Sequence, residues 1–114
     1  MLKLSAHIIL YVLATGAIAE QCQEIRFASG KSSAVVSGSV IEGSPMCLTF
    51  GSGAGQTARL ELSGSNNACF TIDDLVDCQS NYSFRTAEQM YRFRIFQLFP
   101  KTSAENVSLR LTIQ

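Results

Sequence analysis

The chain has 114 residues, with nine Lys and Arg against nine Asp and Glu. It has no excess of cations to release counterions from a polynucleotide, which excludes nucleic-acid binding by electrostatics. His7 is the one histidine, and if it leaves with the N-terminal segment described next, Ser-His-Asp and Cys-His nucleophilic catalysis and most imidazole metal sites go with it.

Residues 1–19 carry Lys3, an apolar run from Ile8 to Leu13 and a closing Ala17-Ile18-Ala19. That is the three-part pattern of a secretory signal peptide, cleaved near Ala19, and the alternative is a buried N-terminal helix. The apolar run is well short of the roughly 20 residues that span a bilayer, so no stable membrane anchor is expected. Cys22 follows Glu20-Gln21 instead of small residues, which argues against lipid attachment. Export predicts a periplasmic or secreted protein whose residues 20–114 form one small domain. At that size a hydrophobic core needs help.

The mature part keeps Cys22, Cys47, Cys69 and Cys78. An even count in an exported chain predicts two disulfides, and three pairings are possible. Cys69 with Cys78 closes a short loop and leaves Cys22 with Cys47. No Cys-x-x-Cys pair is present, so zinc is the poorer reading and no metal is expected.

Taken in order, the mature chain alternates with the period of two that marks half-buried strands. Ala34, Val36, Gly38 and Val40 face opposite to Val35, Ser37 and Ser39, and Met46, Leu48 and Phe50 repeat the pattern. Gly51 to Gly55 is a turn. It lacks a following Lys-Ser/Thr and opens a strand, so it does not cradle phosphate. Leu60 and Leu62 then face opposite to Arg59 and Glu61. Ser63-Gly64-Ser65-Asn66-Asn67 is a surface loop, Ala68 to Ile72 a short strand with Phe70 and Ile72 inward, and Asp73 to Asp77 a connection. These aspartates lack the order of a calcium loop and are expected to be solvated.

Tyr82, Ser83 and Phe84 open the next strand, followed by a strand whose core face is Tyr91, Phe93 and Ile95. The last strand turns Val107, Leu109, Leu111 and Ile113 inward. Between these two, Leu98 to Asn106 is expected to be a hairpin tip, broken by Pro100, which cannot donate to a ladder. The whole predicts an antiparallel sandwich with no helix.

Phe27, Gly30, Ser32-Ser33-Ala34, Ser37-Gly38, Thr49-Phe50 and Gly55-Gln56 follow the order and spacing of the pre-peptidase C-terminal-like β-sandwich. Within that group the chain resembles the periplasmic inhibitors of g-type lysozyme of Gram-negative bacteria, since Tyr82-Ser83, the strand from Tyr91 to Gln97 and the closing Leu109 to Gln114 lie where that family has equivalent segments. The resemblance implies an all-β fold, a small jelly-roll-like antiparallel β-sandwich of seven or eight strands, to which the cysteine count and the N-terminal segment add two disulfides after a signal peptide. It implies no cofactor and a protein partner, a lysozyme or other muramidase, whose acidic cleft is plugged by loops. Cations and hydroxyls suit that task because glycosidase clefts carry catalytic carboxylates.

Carried onto this chain, the partner-binding residues are Ser80, Asn81 and Tyr82 in one loop and Phe99, Lys101 and Thr102 in the other. Lys101 is the inserted cation and Phe99 the packing anchor. Alternatively, Tyr82 is packed over the sandwich edge and Lys101 is a solvated loop charge. The Asp73 to Asp77 connection is shorter than in the family, as if trimmed and replaced by the Cys69 to Cys78 tie. No residue is assigned a catalytic role. Other functions open to such a chain are a generic carbohydrate- or protein-contacting module, disfavoured by the absence of tryptophan, and a periplasmic immunity protein against a peptidoglycan-degrading effector.

Overall fold

The computed structural model describes residues 21–114; the expected signal peptide lies outside them. Nine strands form, and among the described residues there is no helix: β1 (Gln23–Glu24), β2 (Ser33–Val40), β3 (Met46–Ser52), β4 (Thr57–Ser63), β5 (Ala68–Ile72), β6 (Val76–Gln79), β7 (Asn81–Arg85), β8 (Gln89–Gln97) and β9 (Glu105–Ile113). They make two sheets, ordered β1-β3-β8-β5-β6 and β2-β9-β4-β7. All pairs are antiparallel except β1 with β3.

The inward residues of both sheets meet in one core. Phe50, Phe70, Phe93, Leu48 and Ile95 come from the five-stranded sheet and Leu60, Leu109 and Leu111 from the other, all fully buried. Phe50 and Phe70 each approach Phe93 edge-on, at centroid distances of 6.0 and 6.3 Å, a favoured arrangement because ring edges and faces carry opposite partial charge. Alternation thus assigned the core face correctly in β3, β4, β5, β8 and β9.

Two expectations change. The expected seven or eight strands become nine, because the two-residue β1 joins β3 and because Val76–Gln79, read as the end of a connection, forms edge strand β6 against β5. The connection between β8 and β9 is no hairpin: β8 lies in one sheet and β9 in the other, so residues 98–104 cross from sheet to sheet. Only β5 and β6 are successive strands that stay in one sheet, which is why alternation, blind to pairing, suggested a partnership between β8 and β9.

The Gly-Gln turn has a local cause. Gly55 holds φ +74°, a conformation open to glycine without cost. Gln56 Oε1 accepts the Gly53 N–H at 2.9 Å. Thr86 seals the turn: its buried hydroxyl donates to Gly53 O at 2.7 Å, and its backbone N–H and C=O bond Gln56 O and Gly55 N–H. Both disulfides form as Cys22–Cys47 and Cys69–Cys78. The first ties the N-terminal segment to β3 and the second ties β5 to β6.

Candidate partner-docking site

At one end of the sandwich the β8–β9 crossover is fixed by side chains from both flanking strands and from the β4–β5 connection. Gln97 ends β8 on the same face as Tyr91, Phe93 and Ile95, and it is buried. Its amide brackets the crossover: Oε1 accepts the Lys101 N–H and Nε2 donates to Ser103 O, both at 2.8 Å. Burial of the amide is tolerated because both ends are bonded.

Asn67 holds the other side. Its Oδ1 accepts the Phe99 N–H at 2.9 Å, while Nδ2 donates to Phe99 O at 2.9 Å and to Glu105 Oε2 at 3.0 Å. Its backbone O accepts the Leu98 N–H at 2.9 Å. Glu105, the first residue of β9, also accepts the Ser65 hydroxyl through Oε1 at 2.7 Å. These bonds from Ser65 and Asn67 hold the Glu105 carboxyl below the usual carboxylate range; Lys101 adds to the effect and partial desolvation opposes it.

The result is a crossover with a fixed backbone and an apolar outer surface. Phe99 is 69% exposed and Leu98 45%. Lys101 projects beside them, its Nζ 3.9 Å from Glu105 Oε2; with the lysine in solvent and the separation at the limit of an ion pair, this contact contributes little. Thr102 is exposed next to it.

The three residues expected in the second loop separate. Ser80 lies between β6 and β7 and lines an open groove with Leu98, Ser65 and the Cys69–Cys78 bridge. Asn81 begins β7 and faces outward over the four-stranded sheet, near Glu61 and Arg110. Tyr82, next in the alternation, turns inward: it is half-buried against the core and stacks on Phe84 at 5.9 Å. Strand geometry sends neighbours to opposite faces. Of the six expected partner-binding residues, the structure therefore gathers Ser80, Phe99, Lys101 and Thr102 towards one end, sets Asn81 on a sheet face and commits the Tyr82 ring to packing.

Sequence reasoning missed Asn67, Gln97, Glu105 and Ser65. Two of them carried a legible signal. Gln97 continues the inward series 91, 93, 95 and Glu105 precedes the inward series 107, 109, 111, 113, so each is a polar residue in core phase and needs a partner. Asn67 sits among loop formers, where only the fold shows its role.

In the acidic connection, expected to be solvated, Asp73 is instead ion-paired. Both Asp73 oxygens are taken, Oδ2 by Arg92 Nε at 2.6 Å and Oδ1 by Arg94 Nη1 at 2.9 Å. The Arg92 hydrogen bond chiefly, helped by the charge of both arginines and the Arg94 hydrogen bond, holds the Asp73 carboxyl below its usual range against the opposing effect of desolvation. Arg92 and Arg94, between the inward residues of β8, thus form an ion cluster with Asp73 that anchors the β5–β6 turn.

Neither a family profile nor a curated protein sequence is significantly similar to this chain. Solved structures are. The PliG of Aeromonas hydrophila, a periplasmic lysozyme inhibitor of g-type lysozyme, superposes with a TM-score of 0.70 at 22% identity, over 82% of this chain and 96% of that one. This is the PliG fold. The PliG of Salmonella Typhimurium matches at 0.67 with 18% identity, and a mutant PliG of Escherichia coli at 0.66 with 20%; each is covered over its whole length and covers 84% of this chain. The named neighbours are inhibitors, not enzymes, and they are periplasmic. Two disulfides suit the oxidising compartment that such a location provides.

Proposed function

We propose that this protein is an exported inhibitor of a g-type lysozyme, and that it presents the β8–β9 crossover to the muramidase cleft. The observation that carries the reading is the pinned, exposed Phe99 beside Lys101, on a fold it has in common with PliG. An aromatic side chain on a fixed backbone loses little freedom on docking, which is how a small contact becomes a strong one. Lys101 brings a cation to a cleft whose catalytic groups are carboxylates, and Thr102 and Ser80 offer hydroxyls for the rim.

The test is a muramidase assay with the oxidised protein against g-type, c-type and i-type lysozymes. Stoichiometric inhibition confined to the g-type enzyme, weakened by Phe99→Ala and by Lys101→Ala in folded protein, is the expected result. Folded protein that inhibits none of the three leaves the likeness to PliG as one of fold alone. Inhibition of the g-type enzyme that survives both substitutions moves the contact away from the crossover.

A further inference from the structure

The two disulfides sit in different surroundings. Cys47 is buried on β3, an inner strand between β1 and β8, and its partner Cys22 is half-buried, three residues before the buried Ile25. Cys69 is likewise buried on β5, but Cys78 is exposed on the edge strand β6. The open groove that holds Ser65, Ser80 and Leu98 is lined by both of these cysteines, so the second bridge can be reached from solvent. Exposed bridges are the ones that exchange with thiols.

The strand that carries Cys78 is weakly held. Phe70 pairs with Gln79 and Ile72 with Val76, so Asp77 and Cys78 together oppose the single residue Thr71 and form a bulge. Cys78 has φ +40°, a left-handed conformation that disfavours any residue with a Cβ. It is kept there by the bridge and by the Thr71 hydroxyl, which accepts its N–H at 3.0 Å. The segment is also bounded on both sides. Before it, Asp73 is fixed by its N–H on Arg92 O and by its carboxylate on Arg92 and Arg94. After it, Ser80 O accepts the Leu62 N–H at 2.8 Å. β5 keeps its five pairs with β8, from Ala68 opposite Gln97 to Ile72 opposite Phe93. Residues 74–79 can therefore leave β5 while both ends and the sandwich stay in place, as a local opening unit does.

We infer that Cys69–Cys78 is a reducible latch, opened by a dithiol in the folded protein while Cys22–Cys47 stays closed. A thiolate of the dithiol attacks Cys78 Sγ; the S–S bond breaks, and its electron pair leaves on Cys69 Sγ, which takes up a proton. The second thiolate of the dithiol then attacks the mixed disulfide, expels Cys78 Sγ, which is protonated in turn, and leaves the reductant as a disulfide. Two electrons and two protons pass to the bridge. Exchange with an oxidised dithiol in the opposite sense closes it again.

The consequence for docking rests on the crossover being the muramidase contact. Cys78 and Gln79 form one wall of the groove in which Ser80 and Leu98 lie, next to the tip that carries Phe99. With the bridge open, 74–79 moves off that wall, and the surface beside Leu98 is no longer ordered before the partner arrives, so docking must order it. The oxidised protein is then the full inhibitor and the singly reduced one a weaker inhibitor with its core intact, because Cys22–Cys47 and the β5–β8 pairing persist.

The experiment is a titration of the oxidised protein with dithiothreitol at neutral pH. Free thiols are trapped with iodoacetamide and mapped by peptide mass spectrometry, and amide exchange and inhibition of a g-type lysozyme are measured once the reductant has been removed. Cys69 and Cys78 should be alkylated at a dithiothreitol concentration at least about tenfold below that which opens Cys22–Cys47. In that species exchange at Cys78 quickens several-fold, that at Phe93 and Ile95 does not, and inhibition falls several-fold. Cys69→Ser combined with Cys78→Ser reproduces both changes without reductant. Opening of Cys22–Cys47 first, or of both bridges together with loss of protection throughout, overturns the inference. So does an open Cys69–Cys78 bridge that leaves exchange at Cys78, or inhibition, unchanged. If the oxidised protein inhibits no lysozyme, the function proposed above falls, and the order of alkylation with the exchange pattern decides the latch. The same two wild-type readouts decide it if the serine variant fails to fold.

Discussion

The side-chain amide of Asn67 bonds both backbone polar groups of Phe99, accepting from its N–H and donating to its C=O, each at 2.9 Å. The amide thus acts as a one-residue strand partner for the crossover. Its Nδ2 also reaches Glu105, which holds the amide in place.

Asn67→Ala and Phe99→Ala separate presentation from contact. Asn67→Ala leaves Phe99 N–H without its partner and should cost about 1–3 kcal/mol of stability. It should also weaken inhibition, because the tip is no longer ordered in advance. Phe99→Ala removes an exposed ring, so the denaturation midpoint should stay within about 0.5 kcal/mol while inhibition falls at least about tenfold. Urea titration and a muramidase assay on the same preparations check both.

Acid should loosen the tip. The Glu105 and Asp73 carboxyls are both held below their usual values. Below the ordinary carboxylate range the unfolded chain therefore binds more protons than the folded one. The stability these groups contribute is fully present above about pH 5 and is lost as pH falls through their depressed folded values. Glu105→Gln should flatten part of that dependence and Asp73→Asn another part. Urea unfolding at a series of pH values from neutral into the acid range measures each share.

Gly64 is irreplaceable for two reasons. Its φ is +104°, and a Cβ there would sit 2.6 Å from Asn106 O and 3.1 Å from Val107 Cα. Backbone atoms of β9 cannot swing aside, so Gly64→Ala should cost about 2–4 kcal/mol. Gly38→Ala meets only the Met46 thioether, at 2.8 Å, and Met46 can change rotamer. The cost there should be about 1 kcal/mol or less. Thermal melts of the two variants give the ranking.

The two disulfides should differ. Cys22–Cys47 spans 25 residues and Cys69–Cys78 spans nine. A longer closed loop restricts the unfolded chain more, so replacing the first pair by serine should cost about 1 kcal/mol more than replacing the second. Denaturant titration of the two double variants tests the order.

Tyr82→Phe should change neither stability nor inhibition by more than about 0.5 kcal/mol, whereas Tyr82→Ala should destabilise by about 2–3 kcal/mol through its lost packing on Phe84. Inhibition lost in Tyr82→Phe with stability intact would instead place the hydroxyl in the contact.

Much of this protein was legible before folding. The period of two in Leu48 and Phe50, in Tyr91 to Ile95 and in Val107 to Ile113 names the buried face, because a strand's side chains alternate whatever its partner is. Four cysteines in an exported chain imply two bridges, and the short span from Cys69 to Cys78 favours their pairing. Fold resemblance and two disulfides were therefore available from local pattern. What alternation does not encode is which strand lies beside which, since hydrogen-bonded pairing is made by backbone groups common to every residue. For that reason 98–104 was taken for a hairpin when it crosses between sheets, and Val76–Gln79 for a connection when it pairs with β5. The candidate site follows the same division. Phe99 and Lys101 are conspicuous in sequence as an aromatic and a cation at a proline break, but the clamp that presents them joins Asn67, Gln97 and Glu105 across up to 38 positions. Side-chain chemistry and its period are properties of the chain; the meeting of Asn67 with Phe99 exists only once two sheets have closed on a common core.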